Sequence, residues 1–364
     1  MHVLITGGAG FIGRQLTEQL LRRGHEVRVL DALLPQVHGE VDPPLLPDVK
    51  LVEADIRDAA AVRRALEGVD HVVHLAAEVG VGQSMYAIER YVAANDLGTA
   101  VLLQALIDQP VKRVVVASSM SVYGEGLYRD GEGRVRHDVV RRKQADGAFD
   151  PVDEDGRAMK PLPTPETKTP NLCSVYALTK FVQEQLCLTL CPHYGIETVA
   201  LRLFNVYGPG QALSNPYTGV LANFASRLLN GESPLIFEDG EQRRDFVHVE
   251  DVARAFLLAL ERPEAVGQIF NIGSGQHRSV SEVASELARA MNCDIEPRIT
   301  GNLRAGDVRH CFADIAKAER LLGYTPLVDL PDGLEELATW LSGQTPTDRG
   351  QQARAELAAR GLVQ

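Results

Sequence analysis

An α/β fold built on a doubly wound parallel sheet follows from three features of the chain. Short apolar runs alternate with helical stretches through its first half, a glycine-rich turn follows the first run, and an aspartate ends the second. The runs at 3–6, 27–31, 49–55, 71–75 and 113–118 are rich in Val, Ile and Leu, as strands buried on both faces are. Helical spacing marks 13–23, 59–66 and 88–109 between them, and right-handed crossovers are expected.

The alternation stops after Tyr123-Gly124. Residues 125–168 hold many Gly, Pro, Arg and Asp and close on Pro161-Leu-Pro-Thr-Pro165, which reads as an inserted loop without regular structure. Its bases (Arg129, Arg134, Arg136, Arg141, Arg142, Lys143) are mixed with Asp130, Glu132, Asp138 and Asp146, the pattern of a solvated flap rather than a binding patch. Regular structure resumes as a helix near 174–194 and a strand near 198–204, then helix, strand and helix near 249–261, 269–272 and 280–291. The expected division is a dinucleotide-binding domain over 1–206 to which 242–275 returns. A smaller interleaved α/β lobe spans 207–241 and 276–342, and 343–364 form a loosely held tail.

The 364 residues carry 37 basic and 49 acidic side chains, a net charge of −12, which argues against a nucleic-acid surface. Five cysteines without paired spacing read as reduced thiols. No apolar run approaches membrane-span length, and the N-terminus enters a strand pattern directly, so a cytoplasmic protein without membrane partners is expected.

Thr6-Gly-Gly-Ala-Gly-Phe-Ile-Gly13 lies between the first strand and the first helix, where glycines let a backbone approach a pyrophosphate seated on the helix N-terminus. Asp31, 18 residues after Gly13, is placed to accept hydrogen bonds from an adenosine ribose and to repel a 2′-phosphate, favouring NAD over NADP; it also reads as a turn residue. Arg28 lies inside the strand, poorly placed to rescue a phosphate. Tyr176 and Lys180 are one helical turn apart, and an ammonium there lowers a phenol's pKa toward general-base duty. Ser118 and Ser119 end the fifth strand, at the sheet edge where ligands bind.

Together with Asp55-Ile56, His74-Leu-Ala-Ala77, Asn95, Leu203-Phe-Asn-Val-Tyr-Gly-Pro209 and Arg243-Arg-Asp-Phe-Val-His-Val249, these segments resemble the extended short-chain dehydrogenase/reductase family, its NAD-dependent nucleotide-sugar epimerases and dehydratases in particular. The resemblance implies a Rossmann-type fold with NAD held by Gly7, Gly10, Phe11, Ile12, Gly13, Asp31, Asp55, Ile56, Leu75, Ala76, Ala77, Asn95, Ser118, Tyr176, Lys180 and Phe204. It implies catalysis by Ser119, Tyr176 and Lys180, and a nucleotide-diphosphate sugar held by Asn205, Arg244, Arg304 and Asp307 beside Ser119 and Ser121. Arg244 and Arg304 read equally as ion-pair residues. Gln83 and Ser84, on the loop after the fourth strand, are further sugar contacts by position.

Dehydrating and decarboxylating relatives carry carboxylates just after the serine; this chain has Met120 and Ser121, which exchange no proton at neutral pH. One hydride out and back remains, which is 4-epimerisation. The wording around Ser118–Tyr128 resembles a subgroup acting on dTDP-L-rhamnose, with UDP-hexose or UDP-glucuronate 4-epimerases as the nearest competitors. That subgroup can carry a Cys-x-x-Cys zinc ribbon in its insert; residues 125–168 hold no cysteine, so no metal is expected. A 4-keto-sugar oxidoreductase and a dinucleotide-sensing binding protein are the other classes of function. Cys187, Cys191, His74 and His248 read as structural, and apolar residues in excess of one core-facing stripe at 88–109 and 174–194 imply a homodimer by the same resemblance.

Overall fold

The computed structural model describes residues 1–39, 46, 48–141, 148–215, 217, 219–345 and 350–363. Seven parallel strands form the main sheet: β1 (His2–Thr6), β2 (Glu26–Asp31), β3 (Lys50–Glu53), β4 (His71–His74), β5 (Arg113–Ser119), β6 (Glu197–Leu203) and β7 (Ile269–Ile272). Their spatial order is β7-β6-β5-β4-β1-β2-β3, so the strand order reverses between β1 and β4 and opens a crevice at their carboxyl ends.

Successive residues of each strand feed opposite layers. Val3 and Ile5 pack with Val29, Val73 and Leu201 under the helices Phe11–Arg22 and Val249–Glu261, where Leu16, Leu20 and Phe256 are buried. Leu4, Leu30, Val72 and Val114 face Val62, Leu66, Leu102 and Leu106 on the other side. Cys187 and Cys191 are buried in that second layer, as core residues. The smaller lobe packs the helices Val220–Leu229, Val280–Ala290 and Leu330–Leu341 through Phe224, Leu228, Leu287 and Leu337. Among the described residues no helix is long and apolar enough to cross a membrane.

Two regions differ from the sequence reading. The insert carries a three-stranded antiparallel sheet in which Leu127–Arg129 pairs with Val135–Arg136 and with Lys160–Leu162. Some of its charges are structural, while Glu132, Arg134 and Asp138 stay exposed. Asp130 Oδ1 accepts the backbone N–H of Glu132 and Arg134 to turn the hairpin, and Glu125 accepts from the N–H groups of Arg309 and His310 and from the Tyr128 hydroxyl. Arg142, Lys143 and Asp146 lie outside the described residues. The tail forms the helix Gly350–Ala359 with Ala353 and Leu357 buried, so it is docked rather than loose.

The helix Val175–Leu190 is fixed to the sheet by polar groups. Arg202 of β6 forms a bidentate pair with Glu184, at 2.9 and 2.7 Å, with both side chains almost wholly buried. Removing one partner strands the other charge out of water, which costs about 3–5 kcal/mol. Glu184→Ala is therefore expected to lower the unfolding free energy by about that amount in urea titrations, whereas Glu18→Ala, which breaks an exposed pair with Arg22, changes it by less than about 1 kcal/mol.

Candidate active site

A cavity of about 850 Å³ runs from the glycine turn, past the carboxyl ends of β1, β4 and β5, into the smaller lobe. Gly7 has φ +70°, and a Cβ on it would lie 2.8 Å from Ala76 N; a Cβ on Gly13 would lie 2.5 Å from Gly8 Cα. The turn is thus closed by backbone contacts that only glycine permits. The helix Phe11–Arg22 has no side-chain cap on its N-terminus, leaving donors directed at the cavity wall formed by Gly7, Gly10, Phe11, Ile12 and Gly13.

Asp31 lines the cavity, accepting the N–H groups of Ala9 and Leu33 at 3.0 Å each, with His38 Nε2 at 3.5 Å. Arg28 turns away to the carbonyls of Ala65 and Glu67, at 2.7 and 2.8 Å, so no cation offsets Asp31 from that position. Asp55, Ile56, Leu75, Ala76 and Ala77 continue the wall. The Arg57 guanidinium, 2.6 Å from Asp55, holds that carboxyl below its ordinary range. An uncapped helix end, a cradle that a Cβ would fill and a ribose-facing carboxylate together fit NAD.

Ser119 and Tyr176 meet at the middle of the cavity. Ser119 Oγ accepts the Ser121 N–H at 3.2 Å and the Ser121 hydroxyl at 2.9 Å. Tyr176, in the first turn of a helix capped by Ser174, sets its ring edge-on to Tyr91 at 6.4 Å. Burial pushes the Tyr176 phenol above its ordinary pKa, and the adjacent Ser119 pulls it back down. The net direction is upward, where the sequence reading expected a phenol lowered by the neighbouring ammonium. Lys180 does not line the cavity; it is buried, donates to Gln183 Oε1 at 2.7 Å, and its ammonium is lowered by desolvation to about 8.

Four other expected contacts are also placed behind the wall. Asn95 sits where a wide helical turn, Val92–Leu97, interrupts the 88–108 helix. Its side chain binds both backbone groups of Glu78 and the Thr179 hydroxyl, so it positions the wall rather than lining it. Ser118 is buried within β5 on the far side of Ser119, following strand alternation. Gln83 and Ser84 lie in a short helical turn, where Gln83 meets Gln36 and Tyr91 and Ser84 donates to Val81 O. None of the four reaches the cavity surface.

At the lobe end, Phe204, Asn205, Arg244, Arg304 and Asp307 all line the cavity. Arg244 is oriented by the carbonyls of Arg243, Val308 and Arg309. Arg304 pairs with Asp307 at 2.9 Å and stacks over Phe237 at 5.3 Å. Asn205 Oδ1 is buried without a protein partner among the described residues. The sequence reading missed Glu78, which lines the wall in a 2.7 Å pair with Arg90, and the contributions of Arg227, Tyr217, Arg354 and Leu357. Glu78 directly follows Ala77 and was findable by adjacency; the others are brought in by distant segments without a local signal. Among the described residues no cluster of three or more His, Cys, Asp or Glu side chains is arranged to hold a metal.

Residues 3–273 match the model of the NAD dependent epimerase/dehydratase family. The chain is 38% identical over 349 residues to a dTDP-L-rhamnose 4-epimerase of Burkholderia thailandensis, covering 93% of this chain and 94% of that one. It is 32% identical to a putative UDP-glucose 4-epimerase of Methanocaldococcus jannaschii, covering 95% and 100%. Among solved structures it is similar to the Thermotoga maritima UDP-glucose 4-epimerase with UDP-glucose (TM-score 0.77, 32% identity, 94% and 99% covered). It is likewise similar to the Thermus thermophilus UDP-glucose 4-epimerase complex with NAD (TM-score 0.76, 31% identity, 95% and 100% covered). With the glycine turn, Asp31 and the Ser119–Tyr176 pair in one cavity, the chain belongs to the NAD dependent epimerase/dehydratase family and is an NAD-dependent nucleotide-sugar epimerase.

Proposed function

We propose that this nucleotide-sugar 4-epimerase acts on dTDP-L-rhamnose, with Tyr176 and Ser119 working on the sugar 4-hydroxyl. The observation that carries the chemistry is that, among the described residues, every carboxylate along the cavity is engaged. Asp31 holds backbone N–H groups, Asp55 holds Arg57, Glu78 holds Arg90 and Asp307 holds Arg304, while Met120 and Ser121 occupy the places next to Ser119. Proton traffic at the sugar therefore falls to Tyr176. NAD, when bound along the glycine turn and Asp31, supplies the hydride acceptor and then the donor at C4.

Tyr176 takes the proton from the 4-hydroxyl, and Ser119 hydrogen-bonds the same oxygen and fixes its direction. Lys180, one turn along the same helix, contributes positive charge that favours the phenolate; its bond to Gln183 holds it in place. Arg244 and Arg304 neutralise the diphosphate, and the cavity has room for the sugar ring to turn between the two hydride transfers. The rhamnose assignment is supported by the similarity to the Burkholderia enzyme. UDP-glucose and UDP-glucuronate are the competing substrates, the first favoured by similarity to the Thermotoga structure and the second by similarity to the Bacillus cereus UDP-glucuronic acid 4-epimerase.

The assembly we propose is a homodimer. The helical segments around Ile88–Tyr91 and Val175–Leu190 bury polar residues against the sheet and expose Ile88 (52%), Val92 (39%), Leu97 (53%) and Leu178 (45%), an apolar face suited to a second copy.

Tyr176→Phe is expected to lower kcat by about a hundredfold to ten-thousandfold while bound NAD per chain stays unchanged; full retained activity removes Tyr176 from the mechanism. Because the Lys180 ammonium titrates near 8, kcat/KM falls as pH rises above that value, and the fall is absent in Lys180→Met. Proton NMR of the protein with dTDP-L-rhamnose and no added cofactor should show a second sugar with a changed H3–H4 coupling. Conversion of UDP-glucose or UDP-glucuronate instead keeps the mechanism and replaces the substrate. Light scattering should give twice the chain mass, and Leu178→Lys should move it toward the monomer.

A further inference from the structure

Among the described residues the helix Gly350–Ala359 contributes nothing to the apolar clusters of the fold, yet it is fastened at both ends of the cavity mouth. On the sheet side, Glu356 accepts the hydroxyls of Tyr86 and Tyr217 at 2.8 and 3.2 Å, and Arg360 lies over the Tyr86 ring at 4.3 Å. Leu357 sits over Gly82, where a Cβ would come within 3.4 Å of it. On the lobe side, Ala305 donates to Leu362 O at 2.9 Å and Arg304 bridges to Val363, so the tail braces the loop that carries the Arg304–Asp307 pair.

This seating turns Arg354 to the cavity beside Arg227. Arg227 is engaged by Glu232 at 2.7 Å. Arg354 has no hydrogen bond or ion pair among the described residues, and the charges that act on it, Arg227 and Arg298, are of like sign. Burial first, and those two guanidiniums second, push its pKa down. A half-buried cation among cations is costly until an anion arrives, and a nucleotide-sugar diphosphate is such an anion.

We propose that the C-terminal helix forms one wall of the substrate site and that Arg354 binds the diphosphate of the nucleotide sugar, a third cation beside Arg244 and Arg304. This rests on the nucleotide-sugar reading above. The test is calorimetric titration of the NAD-loaded, full-length protein with dTDP and with UDP, alongside steady-state kinetics. Arg354→Gln should raise the Kd of the bound nucleoside diphosphate and the KM of the sugar nucleotide about tenfold, with kcat within about twofold and NAD content unchanged. Arg354→Lys should recover part of the loss. Glu356→Ala, which releases the helix from Tyr86 and Tyr217, should weaken binding in the same direction. A wild-type protein that binds one of the diphosphates and an Arg354→Gln protein that binds it equally well overturn this inference alone. A wild-type protein that binds neither overturns the nucleotide-sugar reading and this inference with it.

Discussion

The site depends on the way one helix is held against the sheet. The face that Val175–Leu190 turns inward is polar: Thr179, Lys180, Gln183 and Glu184 are all buried. Each has a partner. Thr179 receives Asn95, Lys180 reaches Gln183, Gln183 donates to Thr99 and Ala76 O, and Glu184 holds Arg202. His74 of β4 joins this network between Thr6 and Thr99, and burial lowers its imidazole to about 3, so it stays neutral and adds no competing charge. A greasy interface would tolerate sliding by a fraction of a turn, but these directional bonds do not. Tyr176 thereby meets Ser119 at the end of β5, while Leu178 is left exposed on the outer face of the helix.

A second polar brace joins the insert to the smaller lobe. Arg309, 2% exposed at its side chain, pairs with Asp150 from the insert and with Glu238 and Asp239 from the lobe. Arg141 reaches the same Glu238 at 2.6 Å, and the buried Lys168 ammonium donates to the carbonyls of Tyr123 and Thr169. The backbone carbonyls of Val308 and Arg309 in turn orient Arg244 in the cavity. The enlarged segment thus acts on the substrate end indirectly, by fixing the strand behind a cavity-lining arginine.

The main sheet was legible because its strands, the edge strand β3 apart, are buried on both faces and show as short Val/Ile/Leu runs; six of the seven strands fall within a few residues of those runs, and β7 coincides with its run at 269–272. The glycine turn and Asp31 were legible for a related reason, since backbone approach and strand end dictate the residue type locally. The insert and tail were not. Glu125 and Arg309 meet across 184 residues, and Tyr86 and Glu356 across 270, so the stabilising contacts leave no periodic trace near either partner. Lys180 was legible only in part: helical spacing placed it one turn from Tyr176, but its hydrogen bond to Gln183 could be found only from the packed structure. Asn95 likewise looked like a ligand contact and proves to be a strut behind the wall.

The central claim is that hydride leaves C4 of the sugar and returns to the same carbon on its other face, within one cavity. The direct measurement is the fate of deuterium placed at C4 of the nucleotide sugar and followed by NMR through epimerisation in ordinary water. Retention of the label at C4 of the product, with no net reduction of cofactor, is the predicted result. Loss of the label to solvent would contradict it, because only proton abstraction at carbon exchanges with water.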